Sequence, residues 1–142
     1  MKILAVDHGQ KNIGLAISDE TGTLARRLAI IPHISKELDA SRVADLATQN
    51  SVDQVIVGVS YDEEGSPNLA GRRAINFSET LKQIMIQEIV LWDESLTTQD
   101  ARRIRLDSGV SRKKRAGHLD DVAAAVLLQD YLTYHKENAH EN

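Results

Sequence analysis

Residues 2–18 read KILAVDHGQKNIGLAIS, and the pattern of this stretch decides the fold. Lys2 to Asp7 is a short apolar run ending on a carboxylate, as in a strand buried on both faces. His8 to Asn12 reads as a turn, and Ile13 to Ser18 is a second apolar run. Gly14 inside that run predicts a bulge or the close approach of another backbone. Asp19-Glu20-Thr21-Gly22 is a further turn, and Leu24 to Ile31 is a third strand. Strands joined by short polar turns in this way predict an antiparallel meander.

The period then changes. Leu38, Arg42, Val43, Leu46 and Ala47 fit a helix from about Ser35 to Asn50. Gln54 to Val59 is a buried strand, and Tyr61 to Gly65 a polar loop. Ser66-Pro67 predicts an N-cap and a first-turn proline, after which Ala70, Ala74, Phe77, Leu81 and Ile84 recur at helical spacing. Ile89 to Glu94 is a strand ending in two carboxylates. Thr97-Thr98-Gln99-Asp100 resembles a capping box and opens another helix, followed by a polar, basic segment over about 107–117. Leu119 to Tyr134 is the last helix, and its Val122 to Leu128 stretch is apolar nearly all round, which predicts burial. The order is β-β-β-α-β-α-β-α-α. Strand–helix–strand units imply parallel pairing with right-handed crossovers. The expectation is an α/β fold with a mixed five-stranded sheet and helices on both faces. No repeat or linker interrupts the chain, so residues 1–142 are expected to form a single domain, with about 136–142 as a polar tail.

Composition narrows the chemistry. There is no cysteine, which excludes disulfides, thiolate metal sites and a thiol nucleophile. Any metal must be held by carboxylates or histidines, and carboxylates favour hard ions such as Mg²⁺ or Mn²⁺. Met1 to Asp7 meets charge too early for a signal peptide, and no apolar run approaches the roughly 20 residues of a membrane span. A cytoplasmic protein without membrane contact is expected. The net charge of −4 argues against a nonspecific polycation. The cations are nevertheless unevenly spread: Arg102, Arg103, Arg105, Arg112, Lys113, Lys114 and Arg115 crowd one segment. Such a run is ordinarily a solvated helix face and loop; beside acidic catalytic residues it becomes a candidate for phosphate contacts.

Asp7 ends the first strand and Glu94 the last. In open α/β sheets, sites form outside the carboxyl ends of the parallel strands. If strands one, four and five are parallel neighbours, both carboxylates project from one edge. Asp120 or Asp121 opens the last helix next to three alanines, whose small size lets that helix approach the sheet and bring a third carboxylate there; spacing does not separate the two. Carboxylates about 4 Å apart repel by on the order of 4 kcal/mol per pair at an effective dielectric near 20. A cluster of this kind persists only with protons or cations to neutralise it. Two Mg²⁺ ions about 3.5–4 Å apart suit an in-line phosphodiester displacement. Singly, each acidic residue has an ordinary reading: Asp7 as a turn residue before Gly9, Glu94 as a solvated loop residue, and Asp120 and Asp121 as first-turn residues favoured by the helix dipole. Asp93 reads as structural, Trp92 as core, and His118 as a capping residue ahead of its alternative, a group supporting the metal ligands.

Taken together, four segments resemble the YqgF (RuvX-like) family, whose members are described as Holliday-junction-resolvase-like proteins and pre-16S rRNA nucleases. They are Val6-Asp7-His8-Gly9 with Ile13-Gly14-Leu15-Ala16; Val57-Gly58-Val59 with Asp62 and Gly65-Ser66; Trp92-Asp93-Glu94-Ser95-Leu96-Thr97-Thr98; and Asp120-Asp121-Val122-Ala123-Ala124 with Leu127-Leu128-Gln129 and Tyr131-Leu132. The Trp-Asp-Glu-x-Leu-Thr-Thr piece is the most specific. The resemblance implies an RNase H-like fold with strand order 3-2-1-4-5. It also implies metal-binding, catalytic carboxylates at Asp7, Glu94 and Asp120, the last chosen over Asp121 because the family's final Asp stands three residues before the paired alanines. The chain departs from the family at His8, often aromatic, at Asn12, often basic, and at Ser60, usually proline, where a looser loop is expected.

The leading expectation is therefore a divalent-metal-dependent nuclease, with Mg²⁺ or Mn²⁺, acting in 5′-end processing of precursor 16S rRNA. Alternatives are a junction resolvase acting on branched DNA, or an inactive nucleic-acid-binding module. A nucleotide phosphotransferase is not expected, since actin-like and sugar-kinase ATPases on this kind of fold need a second domain to close over ATP, for which 142 residues leave no room unless a dimer makes a composite site. With few aromatics, recognition by backbone shape fits better than base stacking, Tyr61 excepted. Either a monomer or a homodimer is compatible with the sequence.

Overall fold

A computed structural model describes residues 1–94 and 120–139. Its elements are β1 (Ile3–His8), β2 (Asn12–Ser18), β3 (Ala25–Pro32), α1 (Lys36–Gln49), β4 (Gln54–Val59), α2 (Leu69–Ile84), β5 (Glu88–Asp93) and α3 (Asp120–Ala139). The five strands form one sheet in the order β3-β2-β1-β4-β5. β1–β2 and β2–β3 pair antiparallel, as tight turns require; β1–β4 and β4–β5 pair parallel, as helical crossovers require. Between β2 and β3 the register slips at Leu15/Ala16, leaving Leu28 unmatched one rung beyond Gly14, where the bulge was expected.

Both faces of the central strands are covered. Leu4, Val6, Val55, Val57 and Val59 point to one face and meet Val43, Phe77 and Leu81 of α1 and α2. Ile3, Ala5, Ile56 and Trp92 point to the other and meet Ala124, Leu127, Leu128 and Tyr131 of α3. Two-sided burial explains why β1 and β4 read as continuous apolar runs rather than alternating ones.

Several details differ from the sequence expectation for identifiable reasons. The N-cap of α2 is Asn68, not Ser66: its side chain accepts from the Gly71 N–H at 2.8 Å. Pro67 stays outside the helix and bridges to Tyr61. Ser60 tightens its loop rather than loosening it, because its hydroxyl donates to the Asn68 side-chain oxygen at 2.7 Å. Gly71 is required here, since a Cβ would strike the Ser60 carbonyl oxygen. α3 runs five residues past Tyr134, into the expected polar tail. It is also less enclosed than its composition suggests: Ala123 is exposed and Ala125 and Val126 are half-buried, because among the described residues only the sheet packs against it. The helix expected after Glu94 and the basic segment over 107–117 lie outside the described residues.

Two polar clasps set the position of α3 on the sheet. Gln129 accepts from the Ala25 N–H at 3.0 Å and donates to the Thr23 carbonyl at 3.1 Å. The Tyr131 hydroxyl donates to the buried Gln54 side-chain oxygen at 3.0 Å, and burial raises the pKa of that phenol. Tyr131→Phe leaves Gln54 without this partner, so it is expected to lower unfolding free energy by about 1–3 kcal/mol in urea titrations.

Candidate active site

Strand register assembles the carboxyl-edge residues. The β1–β4 ladder runs to Val6↔Val57, so Asp7 and Gly58 are the next residues along. The β4–β5 ladder pairs Gly58 with Trp92 and Val59 with Asp93. Glu94 follows directly, and its N–H donates to the Val59 carbonyl at 3.0 Å, continuing the ladder one step past β5. Side chains alternate along strands. Ala5, Ile56 and Trp92 face α3, and two residues further on Asp7, Gly58 and Glu94 share that face.

Gly58 is the floor of this site. A Cβ built there would lie 2.8 Å from Glu94 Oε1 and 2.8 Å from Leu127 Cδ2. The Glu94 carboxylate thus folds back over β4, into space that any other residue at position 58 would fill. Glycine inside an otherwise β-branched strand marks such an approach. The sequence carries this signal as a lone glycine in the run Val55-Ile56-Val57-Gly58-Val59. Asp7 and Glu94 are both half-buried and both engaged with other groups. The donors fit a hard divalent ion: they are carboxylates, on a floor cleared of side chain, with no sulfur in the chain to favour a softer metal.

The structure brings Asp7 and Glu94 to one edge and one face. Asp120 is the first residue of α3, and its side chain lies outside what is described. Among the described residues, no group of three or more His, Asp or Glu is placed to hold a metal. Arg102, Arg103, Arg105, Arg112, Lys113, Lys114 and Arg115 all lie outside the described residues, as does His118. Trp92 is core as expected, edge-on to Tyr131 at 5.0 Å. Tyr61 is half-buried against the α1/α2 core rather than presented for stacking. His8 follows Asp7 and so faces the opposite side of the sheet, its ring 4.8 Å from Phe77. Burial, and then the charge of His33, push its pKa below the ordinary histidine value.

Comparison with known proteins adds the family. The model described as "RuvX: Holliday junction resolvase" matches residues 1–134. The chain is 39% identical over 135 residues to the "Putative pre-16S rRNA nuclease" of Bacillus cytotoxicus, covering 93% of this chain and 98% of that one. It is 37% identical over 137 residues to the protein of the same name from Thermoanaerobacter pseudethanolicus, covering 96% and 99%. Among solved structures it resembles T. thermophilus RuvC in complex with Holliday junction substrate, with a TM-score of 0.57 at 14% identity over 95% of this chain and 96% of that one. The fowlpox virus Holliday junction resolvase gives a TM-score of 0.52 at 24% identity over 96% and 99%. These two likenesses show a shared fold. The family match spans the whole described sheet and α3 up to Tyr134, and by that match the chain belongs to the RuvX family.

Proposed function

We propose that this chain hydrolyses phosphodiester bonds in structured nucleic acid at the shared edge of β1, β4 and β5, and that its substrate is the 5′ end of precursor 16S rRNA. The observation that carries the reading is the placement of Asp7 and Glu94 on one face, with Glu94 folded over the bare backbone of Gly58. Asp120 is the third carboxylate in this reading. It stands seven residues before Leu127, only about 20° from it in helical phase, whereas Asp121 is about 120° away. Leu127 is the α3 residue that meets the Gly58 floor, so phase supports Asp120 over Asp121.

Asp7, Glu94 and Asp120 would hold Mg²⁺ or Mn²⁺. The chemistry supplied when the ions are bound is activation of a water for attack on phosphorus and neutralisation of charge on the leaving oxygen. The chain's own residues do the rest. The carboxylates fix the geometry, and Leu127, packed over the Gly58 floor beside Glu94, backs them with apolar surface. Their combined negative charge repels phosphate whenever cations are absent, so binding and cutting are both coupled to the ions. The basic residues Arg102, Arg103, Arg105 and 112–115 would make backbone phosphate contacts that position without reading sequence.

The choice of rRNA rests on the names of the relatives at 37–39% identity. A second reading, resolution of branched DNA, is favoured by the description of the family itself. Symmetric cutting of a junction would require a twofold homodimer, whereas trimming of one RNA end needs only a monomer.

The experiment that tests the reading incubates the purified chain with Mn²⁺ on precursor 16S rRNA, a four-way DNA junction and unstructured RNA side by side. Cleavage of the precursor near its 5′ end is expected, abolished by chelator and by Asp7→Asn without loss of fold; cleavage of the junction alone would overturn the rRNA assignment. Gly58→Val pushes Glu94 and Leu127 from the floor. Single-turnover cleavage is expected to fall by roughly a hundredfold, the scale of a 1 Å misplacement, with a stability loss of about 1–3 kcal/mol from overpacking. Wild-type rates in that variant would remove Glu94 from the site.

A further inference from the structure

On the other side of the sheet, behind Asp7, a cavity of about 490 Å³ opens at the same edge. Its floor is Phe77, fully buried, with the His8 ring against it. Arg73 and Asn76 precede Phe77 on one face of α2; Lys36 opens α1, and Gln10 sits in the β1–β2 turn. His33 completes the wall. Its Nδ1 is 2.5 Å from Asp39 Oδ2, and the second Asp39 oxygen accepts from the Ile34 N–H at 3.0 Å. Asp39 is fully buried and accepts the Nδ1 proton, so it orients the imidazole, whose Nε2 donates to an anion only while the ring is protonated. None of the lining residues is acidic. Among the described residues, the side chains of Lys36 and Arg73 make no hydrogen bond or ion pair.

Solvated surface cations ordinarily spread apart. Here two cations and two side-chain amides converge on one concavity whose lining holds no carboxylate, a donor set for an oxyanion; Asp39 lies buried behind the His33 ring, whose imidazolium form adds a further donor. The guanidinium suits a bidentate grip on phosphate, and the ammonium acts as a point charge. We propose that this cavity is a phosphate subsite that takes a backbone phosphate of the nucleic-acid strand being cut, on the far side of the sheet from the scissile bond. His8 and Asp7 are consecutive in β1, so the two sites flank the same strand end. A nucleic-acid strand leaving the carboxylate edge would pass round that strand end to reach the cavity. The subsite would then anchor the substrate where repulsion by the carboxylates is shielded by the sheet.

This inference rests on the nucleic-acid reading above but is tested by binding rather than cleavage, so the two fail separately. Fluorescence anisotropy with a labelled RNA hairpin carrying a single-stranded tail of about a dozen nucleotides compares wild type, Lys36→Ala/Arg73→Ala and Asn76→Asp, which places a carboxylate in the cavity. The expected result is an affinity about tenfold weaker in both variants. The dependence of log Kd on log salt should be shallower by about 0.7, the share of one phosphate on a single strand. Arg72→Ala, an exposed neighbour outside the cavity, should change neither. Competition with inorganic phosphate and with AMP separates the sources of the oxyanion. Displacement of RNA only at concentrations far above the RNA Kd supports a strand subsite, while either small anion binding there as tightly as RNA would make it a small-molecule site. Unchanged affinity and salt slope in both cavity variants would overturn the proposal.

Discussion

The structure depends on the parallel pairing of β1 with β4. Those strands lie about fifty residues apart in the chain, and closing such a loop is entropically unfavourable. The compensation is burial on both faces: Leu4 to Val6 and Val55 to Val57 are fully inaccessible to water. Removal of a Val or Leu side chain from water contributes about 1.5–3 kcal/mol each, so these residues alone outweigh the loop closure. Parallel pairing has a geometric consequence as well. It sends the carboxyl ends of β1, β4 and β5 to one edge, and with them Asp7, Gly58 and the residue after Asp93.

At that edge the sheet separates the carboxylates Asp7 and Glu94 from the cations Lys36 and Arg73. Alternation puts Asp7 on the α3 face and His8 on the α1/α2 face, although they are neighbours in sequence. Glu94 joins Asp7 on one side; Lys36 and Arg73 gather on the other, beside the His33–Asp39 pair. Like charges gathered in a partly buried place are a standing destabilisation, tolerated where function needs them. The apolar clusters beneath, and the clasps of Gln129 and Tyr131 on α3, supply the rigidity that holds such an edge in place.

Much of this architecture was legible in the residues, because strand burial and helix periodicity leave direct traces. The apolar runs at 3–6 and 54–59, the polar turns between the first strands and the spacing from Ala70 to Ile84 each specify an element on their own. The strand order came from family resemblance, and pairing bears it out. Features decided by three-dimensional contact were not legible. Ser66-Pro67 has the chemistry of a helix start, yet Asn68 captures that role because it can bond both Gly71 and Ser60. Ser60 looked like a weakened proline position until its hydroxyl was seen tied to Asn68. The cationic cavity draws on residues from positions 8 to 76, and no local pattern in sequence announces that they meet. Gly58, alone in a β-branched run, is the one local trace of the carboxylate site's floor.

The central claim is that Asp7, Glu94 and Asp120 share cations at one sheet edge, and direct titration of Mn²⁺ followed by electron paramagnetic resonance tests it without any substrate. Wild type should immobilise Mn²⁺, and Asp7→Asn, Glu94→Gln and Asp120→Asn should each weaken that binding at least about tenfold, the scale on which even ligand-supporting groups act. Equal Mn²⁺ binding by the wild type and all three folded variants would contradict the account.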